Sequence, residues 1–450
     1  MKHLSLLFLL FLSVTIMKAQ EPKTFTLKQA QEYAIKNNPT VRNARLDIEM
    51  AKKKIWETTA MGLPQISAAI AYTYMPTVPE INFKTPILIN PVGAPGYGPE
   101  MIRMELMEIP IKLGVANNMT VDFTISQLVF NGSYIVGLQT SKIYKELSEQ
   151  SLIKSETDIK ESIANTYQMV LVVRENKLIL DQMTANMTAT LKEIEALNKE
   201  GFVASTDVDQ IRLTLHNLKN ALNTIEQQLK IAHNLLKFQI GLDINEEIIL
   251  TESLLQFTES LNIESLISQE FDITQNINYR LLNSQQQMQK MGLRLEQSAF
   301  MPSVFAFYNR QEKAQRADFD FSFPDMFGVN VSVPIFSSGQ RLARVSQAKL
   351  ALQKTENMKR QASEGIMLDV MQSRVSLNSS YDKYLSEKMN VELAERIYKK
   401  TLIKYKEGLA GSMELTQAST QWLTAQSNLF NAAYEVLSNK NKIEKLFNRN

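Results

Sequence analysis

Apolar residues recur at helical spacing over two long stretches of this 450-residue chain that contain no proline. The stretches are residues 111–301 and 335–450, and proline is the residue that interrupts helices. In the first stretch the apolar positions lie three or four residues apart, which is the spacing of a heptad seam. These positions are Leu180, Met183, Met187, Leu191 and Ile194, then Ile211, Leu215, Leu218, Leu222, Ile225 and Leu229. The pattern predicts long helices.

The helical pattern occurs twice with the same long spacing. One copy runs from Gly132 to Gly201 and the other from Gly339 to Gly408, so both intervals are 69 residues long. Equivalent positions in the two copies differ by 207. An interval of this length predicts a single helix spanning on the order of 100 Å, at a rise of about 1.5 Å per residue. Internal duplication on this scale predicts a repeated structural unit.

Each long helix is expected to end at a glycine and to be followed by a short turn. Gly201 and Gly408 suit the left-handed conformation found at helix C-termini. In the first turn Ser205, Thr206 or Asp207 can cap the next helix, and the segment ending at Ser412 can do the same in the second turn. Two capped helical hairpins are therefore predicted.

The apolar period changes from helical to two inside the windows that hold all 13 prolines, residues 22–110 and 302–334. Alternation of apolar with polar or small residues predicts strands. The predicted strands cover about residues 65–75, 115–130, 302–310 and 326–335. The third alternates poorly around Phe305 and Phe307.

The chain is thus predicted to repeat the order helix, strand, loop, strand, long helix, turn and helix. The first repeat covers residues 20–270 and the second covers residues 271–450. The first repeat has extra residues between its strands, and the segment 76–114 is rich in proline and glycine. We expect this segment to be a long loop, either ordered at the surface or disordered. Residues 241–275 join the copies and are expected to form a small side domain.

The N-terminus has the order of a secretory signal peptide. A basic start at Lys2 and His3 precedes an apolar core from Leu4 to Ile16. This predicts a signal peptide over residues 1–19 and an exported mature chain. A membrane anchor is the alternative, although the core is short for a membrane span.

Composition excludes several kinds of chemistry. Lys and Arg number 49 against 47 Asp and Glu, so no nucleic-acid partner is expected. The absence of cysteine excludes thiol catalysis, disulfides and thiolate metal sites. His216 and His233 have no acid or cysteine at ligand spacing and are interpreted as helix-surface residues, and the 21 methionines are interpreted as core packing. We predict no metal site, no cofactor and no enzymatic activity.

The predicted strands have the length and alternation of membrane β-strands. An ordinary soluble sheet with one buried face is the alternative on alternation alone, and the signal peptide and long helices favour the membrane. Four strands cannot close a barrel, because about eight are needed, and lipid does not tolerate open sheet edges. Three chains would supply twelve strands. The predicted fold is mainly α with membrane β, a trimeric twelve-stranded β-barrel continued by a long α-helical barrel around a water-filled conduit.

The duplicated helix–strand–strand–helix plan and the turns at Gly201 and Gly408 resemble the TolC-type outer-membrane efflux proteins of Gram-negative bacteria. The resemblance covers about residues 25–447. It implies a homotrimer in outer-membrane lipid, a helical tunnel across the periplasm and a side domain. It also implies a periplasmic adaptor protein and an inner-membrane pump of the RND or ABC type, within a tripartite efflux or type I secretion system. The chain would then be a passive exit duct.

The resemblance also assigns the two turns, which we name the first tip (residues 199–209) and the second tip (residues 406–416). In the family these turns narrow the tunnel and bind adaptors. By position, Thr206, Asp207 and Tyr405 correspond to residues that hold the entrance closed. A hydrogen bond from the Tyr405 hydroxyl to the Asp207 carboxylate is therefore expected.

Two departures from the family pattern lie in the second tip and in the helix after it. Ala410 stands where the family has an arginine, and Gln417 stands where it has an acidic ring. Glu414 keeps an acidic side chain nearby. We expect a weaker closure and less cation selectivity. The main alternative to a duct is a periplasmic coiled-coil scaffold or adaptor protein whose strands form a soluble domain.

Overall fold

The computed structural model describes residues 23–89, 103–317, 320 and 322–448, and the predicted signal peptide over residues 1–19 lies outside them. The described residues contain nine α-helices. They are α1 (Leu27–Asn37), α2 (Pro39–Ala60), α3 (Gly132–Lys199), α4 (Ser205–Ile240), α5 (Leu254–Glu259), α6 (Ile263–Ser268), α7 (Ile277–Ser298), α8 (Gln340–Lys406) and α9 (Ser412–Leu446). Among these helices, none has the length and apolar character needed to cross a bilayer.

The two glycine-bounded intervals each form one continuous helix, which confirms the prediction from the proline-free pattern. Helix α3 has 68 residues and α8 has 67. The interior glycine Gly365 does not interrupt α8. Helices of this length owe most of their stability to the packing of their apolar seams, since propensity alone contributes little.

The described residues also contain eight strands. They are β1 (Lys23–Phe25), β2 (Gln65–Tyr74), β3 (Glu80–Ile89), β4 (Arg103–Lys112), β5 (Asn117–Asn131), β6 (Ile248–Leu250), β7 (Ser303–Lys313) and β8 (Asp325–Ser332). Three sheets result, with the orders β1-β6, β2-β5-β7-β8 and β3-β4.

The chain divides into two compact units that do not follow the sequence repeats. The helical unit contains the described residues up to 49 together with 146–286 and 355–448, and the sheet unit contains 50–145 and 287–354. Each predicted repeat, 20–270 and 271–450, therefore contributes a helical hairpin to one unit and strands to the other. The boundaries of the repeats differ from those of the compact units because the helical hairpins of the two repeats pack with each other.

The helical unit has two apolar cores. One surrounds the short parallel sheet of β1 and β6, where Tyr167, Leu171 and Leu236 are fully buried. The other lies between the tip-proximal parts of the four long helices and contains Met183 and Ile211. The predicted heptad seams of α3 and α4 supply most of this second core, which we name the tip core. Burying one such side chain contributes about 1.5–3 kcal/mol.

The sheet unit contains an antiparallel four-stranded sheet. The four segments with a period of two form β2, β5, β7 and β8. The poorly alternating segment is β7, which has neighbours on both sides. Strands β2 and β8 are the two edges. The β5–β7 register shifts between Leu128 and Phe130, so Val129 is the extra residue of a β-bulge.

The segment 76–114, predicted as a long loop, instead contains strands β3 and β4. They pair antiparallel from Glu80 opposite Lys112 to Ile89 opposite Arg103. The prediction was wrong because proline content was taken as a sign of a loop. A two-stranded ribbon leaves one edge of each strand free, and proline is tolerated at such edges. The Gly/Pro run 91–99 lies outside the described residues.

Candidate functional site: the two helical tips

Both tips end their long helix with the same backbone motif. Gly201 has φ of +79° and Gly408 has φ of +73°, so both occupy the left-handed region as predicted. The N–H of the residue after each glycine donates to a carbonyl five residues earlier, at 3.0 Å for Phe202 and 2.7 Å for Leu409. These bonds belong to the Schellman motif, which satisfies helix-end carbonyls. The duplication therefore extends to the backbone geometry of the tips.

The helices that follow the tips begin without the predicted side-chain caps. The N-cap of α4 is Ala204 and the N-cap of α9 is Gly411, and neither has a side-chain cap hydrogen bond. Ser205, Asp207 and Ser412 lie one to three residues further on, inside the first turn of each helix. Their side chains are thereby left to make other contacts.

A side-chain hydrogen bond joins the two tips, but its donor is not the predicted one. The hydroxyl of Ser412 donates to Oδ1 of Asp207. The Tyr405 hydroxyl is buried and has no hydrogen-bond partner among the described residues. The predicted hydrogen bond from Tyr405 to Asp207 is therefore absent. Ser412, at 6% exposure, is almost fully enclosed at this contact.

The Tyr405 hydroxyl lies in an electronegative environment. Burial, with smaller contributions from the negative charges of Asp207 and Glu193, raises the pKa of Tyr405 to about 12. The ring borders a cavity of about 360 Å³ between the two tips, which these two acids also line. Tyr405 therefore stays neutral at physiological pH and packs as a bulky ring beside Asp207.

Further contacts connect the same helices near the tips. Lys406 of α8 forms an ion pair with Glu193 of α3 at 3.0 Å, and both side chains are about half exposed. The hydroxyls of Thr214, beyond the first tip in α4, and Thr416, the last residue of the second tip, lie 3.2 Å apart. An exposed ion pair contributes about 0–1 kcal/mol, so most of the connection at this end comes from the buried groups.

The tip core supports these contacts with an aromatic pair. The rings of Tyr398 in α8 and Trp422 in α9 are stacked, with centroids 5.0 Å apart and planes 13° apart. Trp422 is buried, and its indole Nε1 has no hydrogen-bond partner among the described residues. The stack fixes the two helices of the second hairpin against each other.

The remaining predicted site residues face solvent. Thr206, Glu414 and Gln417 are exposed. Gln417 lines a groove of about 570 Å³ along α9 whose walls are mainly hydroxyl and amide side chains. Ala410, in place of the family's arginine, is half-buried and borders the cavity between the tips. The structure thus brings Asp207 beside Tyr405, and leaves Thr206, Glu414 and Gln417 at the surface.

The sequence pattern predicts only a capping role for Ser412, and it predicts no role for Lys406 or Glu193. The internal duplication could have pointed to Ser412, because Ser412 is the equivalent of Ser205 at the repeat offset of 207. A polar residue retained at equivalent positions of both tips was therefore a candidate for a contact between them.

The second predicted surface histidine differs from the prediction. His216 is exposed, whereas His233 is half-buried beside a surface cavity of about 650 Å³ that Lys237 also lines. Burial, followed by the positive charges of Lys237 and Arg174, lowers the pKa of His233. Within the part of the chain that the structure describes, no group of three or more acidic or histidine side chains could hold a metal ion.

Comparison with known proteins agrees with this architecture. The family described as outer membrane efflux protein matches residues 274–449. Outer membrane protein TolC of Salmonella enteritidis is 21% identical over 436 residues, covering 93% of this chain and 81% of TolC.

Solved outer-membrane proteins share the fold. The CmeC outer membrane channel of Campylobacter jejuni has a TM-score of 0.72 at 17% identity, covering 94% of this chain and 85% of CmeC. The outer membrane protein VceC of Vibrio cholerae has a TM-score of 0.69 at 16% identity, covering 94% of this chain and 96% of VceC. The resemblance of this chain to the TolC-type outer-membrane efflux proteins is confirmed, by sequence over residues 274–449 and by fold over nearly the whole chain.

Proposed function

We propose that this protein is the outer-membrane channel of a tripartite efflux or type I secretion system, a passive exit duct across the periplasm and outer membrane. The observation that carries the proposal is the exposed apolar face of the four-stranded sheet. Ile66 is 76% exposed, Ile70 is 69% exposed and Phe327 is 81% exposed. Strands of a water-soluble domain bury such a face, and a large exposed apolar patch marks contact with lipid or protein.

The opposite face of the sheet is suited to water. Asp122 of β5 accepts a hydrogen bond from Gln311 of β7 at 2.8 Å, and Thr124 accepts one from Asn309 at 2.9 Å. On β5 these residues alternate with Val121 and Phe123 of the apolar face, whereas on β7 they alternate with the ion-paired Arg310 and Glu312. One lipid-compatible face and one hydrated face are the two sides of a transmembrane β-barrel wall.

The edges of the sheet support assembly as a trimer. Strands β2 and β8 each have one neighbour in the four-stranded sheet, which leaves one edge of each unpaired. Open edges are not stable in lipid, and four strands are too few to close. Pairing of β8 with β2 of the next copy around a threefold axis would close twelve strands.

The tips belong to this proposal as the periplasmic entrance of the duct. Gly201 and Gly408 set the turns, and Thr206, Asp207, Tyr405, Glu414 and Gln417 would line or hold the entrance. A periplasmic adaptor and an inner-membrane pump of the RND or ABC type would dock near it and supply the energy of transport. The neutral Gln417 would make the entrance less cation-selective than an acidic ring.

The proposal is tested by fractionation and electrophysiology on the full chain. We expect the protein in the outer-membrane fraction, extraction only with detergent, a native mass of three protomers and discrete conductance steps in planar bilayers. A water-soluble monomer in the periplasmic fraction would refute the proposal and favour the scaffold or adaptor alternative. The variants Ile70→Lys and Ala69→Lys are a matched pair that tests which face of the sheet contacts lipid, since neighbouring strand positions face opposite sides of the sheet.

A further inference from the structure

We propose that Ser412 is the positioning residue that holds the two tips together, through its hydrogen bond to Asp207, and that the Tyr405 hydroxyl has no part in this connection. The inference rests on the proposed function, because it identifies which side chain sets the width of the proposed entrance. It assigns the role to a residue different from the tyrosine that position in the family indicates.

The contact has the features of a strong, specific bond. Its donor, Ser412, is the first residue of α9 and is enclosed, while its acceptor, Asp207, lies in the first turn of α4. A hydrogen bond to an ionised carboxylate is stronger than one between neutral groups. Asp207 also lies in the first turn of its helix, where the helix dipole interacts favourably with an acidic side chain. The bond therefore links the N-termini of α4 and α9, the second helices of the two hairpins.

The competing tyrosine is close but not bonded. Tyr405 borders the same cavity as Asp207, yet its hydroxyl has no partner among the described residues. A buried hydroxyl without a partner costs free energy, so removing it leaves the tip connection intact and relieves that cost. The two candidate donors consequently predict opposite outcomes when each is deleted.

The repeat provides a matched control. Ser205 is the equivalent of Ser412 in the first tip, has the same place in its helix, and is exposed. Replacing either serine by alanine removes the same atom from the first residue of an equivalent helix. Any effect on helix propensity is shared by the two variants, so a difference between them reports the bond to Asp207.

The experiment uses the full-length protein in detergent and in planar bilayers. Amide hydrogen exchange is followed at Leu415, whose N–H donates to the Gly411 carbonyl, and in the next turn of α9. Single-channel conductance is measured on the same preparations. For Ser412→Ala we expect local exchange to rise by about 10- to 100-fold, the loss of a hydrogen bond to a charged group, and the mean conductance to increase. Ser205→Ala should match wild type in both measurements, and Tyr405→Phe should exchange no faster than wild type. Ser412→Thr should retain the hydroxyl and restore wild-type exchange.

A double-mutant cycle makes the assignment specific. Ser412→Ala and Asp207→Ala act on one bond, so the double variant should exchange no faster than the faster single variant. Faster exchange or wider conductance in Tyr405→Phe, with Ser412→Ala unchanged, would overturn the inference. Absence of conductance in wild type would refute the channel proposal alone, because hydrogen exchange tests the Ser412 bond without requiring a channel.

Discussion

The variant Gly408→Ala measures how much free energy the left-handed backbone conformation of the second tip costs a residue that has a Cβ. Gly408 has φ of +73°, a region that residues with a Cβ rarely adopt. A Cβ built at this position meets no atom within 4 Å. The substitution therefore adds no steric contact with the rest of the chain, and its whole effect is the strain of a left-handed alanine.

The magnitude follows from that strain. A left-handed conformation costs an L-residue about 1–2 kcal/mol. Because this energy is released when the tip opens locally, the opening equilibrium should increase by about 5- to 30-fold. Amide hydrogen exchange measures this directly at residue 408 and at Leu409, whose N–H groups donate to the end of α8.

Two further glycines serve as controls. Gly201→Ala should show the same acceleration in the first tip, since Gly201 has φ of +79° and equally open surroundings. Gly365→Ala lies in the interior of α8, also with open surroundings but without a positive φ, and should slow local exchange through a stabilisation of about 0.5–1 kcal/mol. Unchanged exchange in both tip variants would show that left-handed strain does not determine tip stability.

Two other predictions concern the sheet and the histidine. Ile70→Lys should destabilise the membrane-inserted state by about 2–4 kcal/mol and reduce the amount of protein in the outer-membrane fraction. Ala69→Lys, on the opposite face of the sheet, should insert normally. Equal insertion of the two variants would contradict a lipid-facing side of the sheet. Burial, followed by the positive charges of Lys237 and Arg174, lowers the pKa of His233 in the folded state. The unfolded chain therefore binds a proton at His233 more readily than the folded chain does. The stability of the folded state falls as the pH drops below the unfolded-state pKa of about 6.5. His233→Gln should therefore lose less thermal stability than wild type on acidification to about pH 5, measured by calorimetry, and an identical loss would exclude His233 as the cause.

Elements that depend on local pattern could be predicted from sequence. The long helices follow from the absence of proline and from seams such as Met183 and Met187, which are buried in the tip core. The left-handed glycines follow from the same logic, since few other residues end a helix in that conformation. Periodicity also marked the segments that form the four-stranded sheet, because alternate side chains of a strand face opposite sides.

Contacts between distant segments could not be predicted in the same way. Ser412 and Asp207 are 205 residues apart, and their contact depends on how two hairpins pack. Positional matching to the family selected Tyr405, and its ring does lie beside Asp207, but matching a position does not determine where a hydroxyl points. Composition misled the prediction for segment 76–114, where pairing between β3 and β4 outweighed its proline content.

The duplicated tips provide two possible serine–acid pairs, because Ser205 is equivalent to Ser412 and Asp207 is equivalent to Glu414. Both helices bury equivalent positions in the tip core, Val208 in α4 and Leu415 in α9, so an exact twofold arrangement would place each serine against the acid of the other tip. Within the described ranges, only Ser412 and Asp207 form such a bond, and Ser205 and Glu414 are exposed. The two hairpins are therefore similar in backbone but not interchangeable in their contacts. A side-chain effect measured at one tip therefore cannot be transferred to the equivalent residue of the other, whereas the backbone effect of the two tip glycines can.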